Sequence, residues 1–218
     1  MNRQPFLIKN CSLAAIATGE HANSLLELRD KISTADAGSI YFHFWGSRLN
    51  PRFVHTQHHN DFASWVFHYL HDNVLAEKLG IIDPTEFENV EALRQELIEK
   101  IETRLDEEET IHWVKRENAF HFIRSIIIVF ASTIKISHPQ ELPAKIPLLP
   151  PNSIFYHFID ARSRTAEKID DFSSWLKTFG DVYQPLIDDI QTIDPYFLSL
   201  TELRENIAFA ARQYFVNR

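Results

Sequence analysis

The hexapeptide Ser39-Ile40-Tyr41-Phe42-His43-Phe44 returns later in the chain as Ser153-Ile154-Phe155-Tyr156-His157-Phe158. It does not return alone. Asn60-Asp61-Phe62-Ala63-Ser64-Trp65 is matched by Asp170-Asp171-Phe172-Ser173-Ser174-Trp175, Ile82-Asp83-Pro84 by Ile193-Asp194-Pro195, and Leu93-Arg94 by Leu203-Arg204. Upstream, residues 6–39 align without a gap on 120–153, pairing Glu27-Leu28 with Glu141-Leu142 and Lys31-Ile32 with Lys145-Ile146. Four matches in one order imply an internal duplication of one unit of roughly 100 residues. Residues 1–111 form the first expected copy and 112–218 the second, packed as one compact body. The charged stretch Leu105–Asn118 suits a solvated junction between them.

Composition narrows the class. Of 218 residues, 44% are hydrophobic and 12% aromatic, ample for a packed core. The formal net charge is −8, and no run of Lys or Arg stands out. Nucleic-acid binding needs a basic face that displaces counterions from phosphates, so charge argues against it, and against anionic membranes too. The longest apolar run, Ser125–Ala131, is far shorter than the roughly 20 residues of a membrane-spanning helix. The N-terminal segment faintly imitates a signal peptide, but Lys9 and Asn10 interrupt it and it has a counterpart at Phe120. The expectation is a soluble, cytoplasmic protein. A single cysteine, Cys11, excludes an intramolecular disulfide and reads as a small buried hydrophobe.

Residue patterns give each copy a coarse outline. Phe6–Ala17 and Phe120–Ala131 are rich in apolar and β-branched residues and predict strands. Short helices are expected over Ala22–Ile32 and Pro139–Ile146, the latter weakened by Pro143 and Pro147. The SIYFHF and SIFYHF runs fit a strand, or a helix with Ser39 or Ser153 as N-cap. Asn60 or Asp61 caps a helix with apolar positions at Phe62, Trp65, Val66, Tyr69, Leu75 and Leu79, stopped by Gly80. Asp83-Pro84 and Asp194-Pro195 mark turns or caps. Asn89 and Ser199 cap the helices that follow, Ser199 with Glu202 as a capping box. The expected class is α+β and helix-rich, with all-α as the alternative.

These blocks resemble a family of uncharacterised bacterial proteins with duplicated SIYYHF-like and NDFxxW-like motifs, a domain of unknown function. SIYFHF, the RPRF-like Asn50-Pro51-Arg52-Phe53, NDFASW, SIFYHFIDAR and DPYF-SL-TELR stand here in that family's order. Asn50 departs from the basic residue expected there. The resemblance covers nearly the whole chain and implies no activity.

Polar residues retained in both copies are the candidates for function: Ser39/Ser153, His43/His157, Arg48/Arg162, Asp61/Asp171, Asp83/Asp194 and Arg94/Arg204. Caps account for the serines and aspartates, and a nearby acid for Arg94 and Arg204. A histidine in an aromatic run needs a hydrogen-bond partner. His43, Arg48, Asp61, His157, Arg162 and Asp171 are therefore the candidate ligand-binding set, a His/Arg arrangement suited to a small anion. The bland alternative is that each arginine pairs with its own copy's aspartate. His55, His58 and His59, with His68 and His71 nearby, form the weak alternative of a metal site. The first copy alone has this cluster and no HExxH accompanies it, so no metal or cofactor is expected. Asp106, Glu107, Glu108 and Glu109 read as a solvated helix end; Asp160, Asp170 and Asp171 are possible paired carboxylates. No GxSxG, P-loop or GxGxxG is present. The expected function is that of a non-enzymatic binding or regulatory protein with an anion site built from both repeats, its partners a small anionic ligand or a protein. A small hydrolase or transferase acting on a phosphorylated or sugar-like substrate is the alternative.

Overall fold

Phe6–Ala22 and Phe120–Ile136 form two strands, β1 and β2, in the computed structural model, which describes residues 4–49, 57–107, 113–165 and 167–216. They pair as an antiparallel two-stranded sheet, so the chain is α+β rather than all-α. Both strands outrun the expected ends, to Ala22 and Ile136. A sheet of two strands has little stability of its own and needs helices packed on it.

Those helices follow each strand. After β1 come α1 (Leu25–Thr34), α2 (Ala37–Leu49), α3 (Asp61–Trp65), α4 (Asn73–Gly80) and α5 (Val90–Glu107). After β2 come α6 (Leu142–Lys145), α7 (Pro151–Ile154), α8 (Ala161–Arg164), α9 (Asp171–Lys177), α10 (Gln184–Gln191) and α11 (Leu200–Val216). No helix among the described residues is long and apolar enough to cross a membrane.

The chain divides into two compact units that are not cut at the junction. One is Leu13–Ile126. The other joins Met1–Ser12 to Ile127–Arg218, so each strand begins in one unit and ends in the other. In Leu13–Ile126, α1 packs against α5, and Leu28, Ile32, Phe44, Phe62, Leu79, Leu97 and Ile101 fill the core. Phe120 and Phe122 of β2 are buried in that unit while His121 between them is exposed, the alternation of a half-buried strand. In the other unit α11 packs on α6, α7 and α10 around Leu142, Ile146, Ile154, Phe158, Phe172 and Ile207.

Local rules set most boundaries. The Ser24 hydroxyl accepts the Glu27 N–H, and the Glu27 carboxylate takes the Asn23 N–H at 2.7 Å, closing the start of α1. The capping box before α11 forms at both bonds: Ser199 N–H to Glu202 at 2.8 Å, and Glu202 N–H to the Ser199 hydroxyl at 3.2 Å. Asn89 accepts the Ala92 N–H at 2.9 Å. Asp83 and Asp194 each fold a turn, accepting Thr85 N–H at 2.8 Å and Tyr196 N–H at 2.7 Å. Pro143 and Pro147 leave only short helical pieces between Pro139 and Leu148.

Three expectations change. The long helix from Asn60 to Gly80 is interrupted by a π-helical turn at Val66–Leu70, and His71 takes a left-handed conformation at φ 57. Asp72 then starts α4 by accepting the Leu75 N–H, a cap hidden inside an apolar periodicity that ran through it. The SIYFHF run is helix, within α2, but Ser39 is not its cap. Asp36 takes that place by accepting the Gly38 N–H at 2.8 Å, and Ser39 turns inward. The second run begins as α7 and continues as a π-helical turn over Phe155–Asp160.

Candidate functional site

Asn60 and Asp170 sit in extended conformation just before α3 and α9 and accept the Ala63 and Ser173 N–H groups at 2.9 and 2.8 Å. They are the caps. Asp61 and Asp171, read from sequence as possible caps, are each the first residue of the helix, and their carboxylates are released for another partner. That partner is histidine. His43 Nδ1 lies 2.9 Å from Asp61 Oδ2, and His157 Nδ1 lies 2.7 Å from Asp171 Oδ2.

The other ring nitrogen meets a strand. The backbone N–H of Ile123 donates to His43 Nε2 at 3.1 Å, and that of Lys9 donates to His157 Nε2 at 2.8 Å. A backbone N–H can only donate, so Nε2 is unprotonated in both rings and Nδ1 carries the proton it gives to the aspartate. Each imidazole is a neutral bracket between a helix and the outer edge of a strand. On β2 the Ser39 hydroxyl completes the bracket, donating to the Ile123 carbonyl at 3.0 Å. Both rings are nearly sealed from solvent, His43 3% and His157 2% exposed.

Aromatic rings close around the brackets in matching sets. His43 is flanked by Phe62, Phe120 and Phe122, and His157 by Phe6 and Phe172. Trp65 Nε1 donates to the Asn118 carbonyl at 2.7 Å, and Trp175 Nε1 to the Gln4 carbonyl at 3.2 Å. Each tryptophan thus ties α3 or α9 to the residues just before a strand.

The arginines divide differently. Arg48 lies over the Trp45 ring at 5.4 Å and Arg162 over the Phe158 ring at 4.6 Å, and Arg162 Nε donates to the Phe158 carbonyl. The arginine that reaches Asp171 is Arg164, at 3.0 Å; it also pairs with Asp160 at 2.9 Å and lies 4.1 Å over Tyr156. Asn50 stands at the place matching Arg164, so this arginine is not among the residues common to both copies. Burial alone would raise the Asp171 carboxyl, but the bonds from His157 and Arg164 outweigh it and hold the group below its ordinary range. Asp170 goes the other way. Burial pushes it up, against the Ser173 hydroxyl and N–H and the charge of Arg162. Asp160 and Asp171 are therefore bridged by a guanidinium, while Asp170 is committed to its cap.

Arg94 is buried, pairs with Glu91 at 2.8 Å as expected, and donates to the Ile32 carbonyl. Arg204, expected beside an acid, donates instead to the Leu149 carbonyl at 3.0 Å. The Ser153 hydroxyl is buried without the strand bond that Ser39 makes. Cys11 is buried, and desolvation, reinforced by Asp160, pushes its thiol up to about 11, far from a nucleophile's range. Of the histidine cluster, His55 lies outside the described residues. His58 packs so closely on Gly80 that a side chain there would start 2.8 Å from its Nδ1. Desolvation, with the His68 charge, depresses the His58 imidazolium. Among the described residues no three His, Cys, Asp or Glu side chains stand together as metal ligands.

The solved structure of OrfY from Thermoproteus tenax is similar to this chain: 28% of residues are identical, the match covers 98% of this chain and 96% of that one, and the TM-score is 0.83. No curated protein matches. The model of a family of unknown function, DUF5752, matches residues 3–212, and the chain belongs to that family.

Proposed function

We propose that this chain is a non-enzymatic, cytoplasmic binding or regulatory protein, built by internal duplication, whose two halves each lend a strand end to the helices of the other. The observation that carries this reading is the complete use of both imidazoles. A general base or nucleophile activator needs a ring nitrogen turned toward substrate. Here Nδ1 of each histidine serves an aspartate and Nε2 serves a strand amide. The polar groups common to both halves thereby hold the fold together. The duplication rests on the same bracket recurring at matched positions: His43 with Asp61 and Ile123, His157 with Asp171 and Lys9. The swapped strand ends follow from the same bonds, since His43 precedes the junction and Ile123 follows it.

A second reading keeps His43, Arg48, Asp61, His157, Arg162 and Asp171 as ligand-binding residues for a small anion, as a hydrolase or transferase of phosphorylated substrates also requires. What favours it is the placement of Arg48 and Arg162 over aromatic rings, together with the preference of a guanidinium fork for carboxylate or phosphate. Thermal unfolding of the full chain against phosphate, sulfate, simple carboxylates and sugar phosphates separates the two. The favoured reading predicts no specific stabilisation by these anions. A shift that saturates with one anion, and disappears in Arg48→Gln or Arg162→Gln while the variant stays folded, supports the second.

A further inference from the structure

His21, next to the last residue of β1, and His121, next to the first residue of β2, stand side by side on the sheet with ring centroids 6.1 Å apart. Both belong to the unit Leu13–Ile126. His121 is exposed and His21 half-buried, so solvent reaches the pair. His43 and His157 spend both ring nitrogens on the fold. Among the described residues, neither His21 nor His121 makes a side-chain hydrogen bond or ion pair.

Packing does not call for imidazoles here. Where residues 6–39 align on 120–153, His21 matches Lys135 and His121 matches Leu7. Leu7 is 61% exposed. Positions that take a lysine and an exposed leucine in one copy place no demand for histidine on the other. Two neighbouring imidazoles offer something that Lys and Leu lack, a pair of neutral nitrogen donors for one divalent transition metal.

We propose that His21 and His121 together bind a Zn²⁺, Ni²⁺ or Cu²⁺ ion that clips the end of β1 to the start of β2. With metal–nitrogen bonds of about 2.0–2.1 Å, two imidazoles on a tetrahedral ion have ring centres about 5 Å apart. Closing the 6.1 Å separation to that value takes only a small side-chain rotation at a solvent-facing pair. Two paired strands hold the backbones of both ligands in place, so the ion finds its donors already assembled. The Glu20 carboxylate beside His21 is engaged by Lys31, so water fills the remaining positions. Hard cations such as Mg²⁺ and Ca²⁺ prefer oxygen ligands and are not expected to bind. The ion joins strands from opposite sides of the junction, and it stabilises the folded chain because the unfolded one does not hold the pair together.

Isothermal titration of the untagged full chain with Zn²⁺ tests this, beside thermal unfolding and NMR of the histidine rings. One ion per chain is expected, with a melting temperature that rises with Zn²⁺ and is indifferent to Mg²⁺. Signals of His21 and His121 should shift with the metal while those of His43 and His157 stay fixed. His21→Gln and His121→Gln are each expected to weaken binding by more than about tenfold, a loss that even an outer-shell partner can produce. The double variant His58→Gln/His59→Gln should bind as the wild type does. If a His21 or His121 variant fails to fold, the ring signals of the wild type decide. Absence of saturable binding overturns the proposal. So does binding that survives either substitution at His21 or His121, or that is lost with His58 and His59.

Discussion

Lys9 and His157 stand far apart in sequence, and the backbone N–H of one donates to the imidazole of the other across 2.8 Å. The ring is held from behind by Asp171 at 2.7 Å, so strand, histidine and helix α9 form one chain of bonds. His43 repeats the relationship with Ile123 and Asp61.

His157→Ala leaves both the Lys9 N–H and the Asp171 carboxylate without this partner and opens space beside Phe6 and Phe172. Unpaired buried groups cost about 1–3 kcal/mol each, so a loss of roughly 3–5 kcal/mol is expected by urea unfolding, and the same for His43→Ala. A change within about 0.5 kcal/mol in either variant contradicts the bracket.

Trp65 and Trp175 are 5% and 8% exposed and each ties its helix to the start of a strand. Truncation of either to alanine should cost about 3–5 kcal/mol. Trp65→Phe keeps most of the packing but strands the Asn118 carbonyl, and should cost about 1 kcal/mol. Wild-type melting of the alanine variants would refute the burial argument.

Asp171 sets an acid limb. Its folded-state affinity for protons is depressed, so its contribution to stability is complete above its unfolded value, about 4, and is lost as pH falls through the lower folded value. Asp171→Asn should therefore be less stable than wild type at neutral pH, with the gap narrowing below about pH 4. A gap independent of pH would mean that the carboxylate charge is irrelevant to the bracket.

Asp170 carries the opposite sign. Raised by burial, it favours folding when protonated, and that contribution is lost as pH rises through its folded value. Asn60 caps the matching helix without a charge. Asp170→Asn should accordingly gain stability relative to wild type at pH 7–8, and the gain should shrink as the pH is lowered. A variant equally destabilised at every pH would show that the ionised carboxylate is well compensated.

The sequence revealed much of this and concealed three features. Strands at Phe6 and Phe120, the capping box at Ser199 and the turns at Asp83 and Asp194 are legible because each depends on neighbours within a few residues. His43, His157, Asp61 and Asp171 stood out as retained polar groups in aromatic surroundings. Their partners did not, because Lys9 and Ile123 contribute only a backbone N–H, which every residue except proline possesses. The same blindness hid the break at Asp72, where a local cap overrides an apolar spacing that continues past it. Arg164 carries no mark in the repeat, because Asn50 stands at the matching place and its ion pairs belong to the second half alone.

The central claim is that each imidazole is neutral, protonated on Nδ1 and accepting a strand amide at Nε2. Nitrogen-15 NMR of the full chain reads this directly, through the ring-nitrogen shifts and the scalar coupling across the hydrogen bond. The account predicts pyrrole-type Nδ1 and pyridine-type Nε2 in both rings at neutral pH, with couplings from His157 Nε2 to the Lys9 amide and from His43 Nε2 to the Ile123 amide. A proton on Nε2 of either ring, with no coupling to the strand amide, would contradict it.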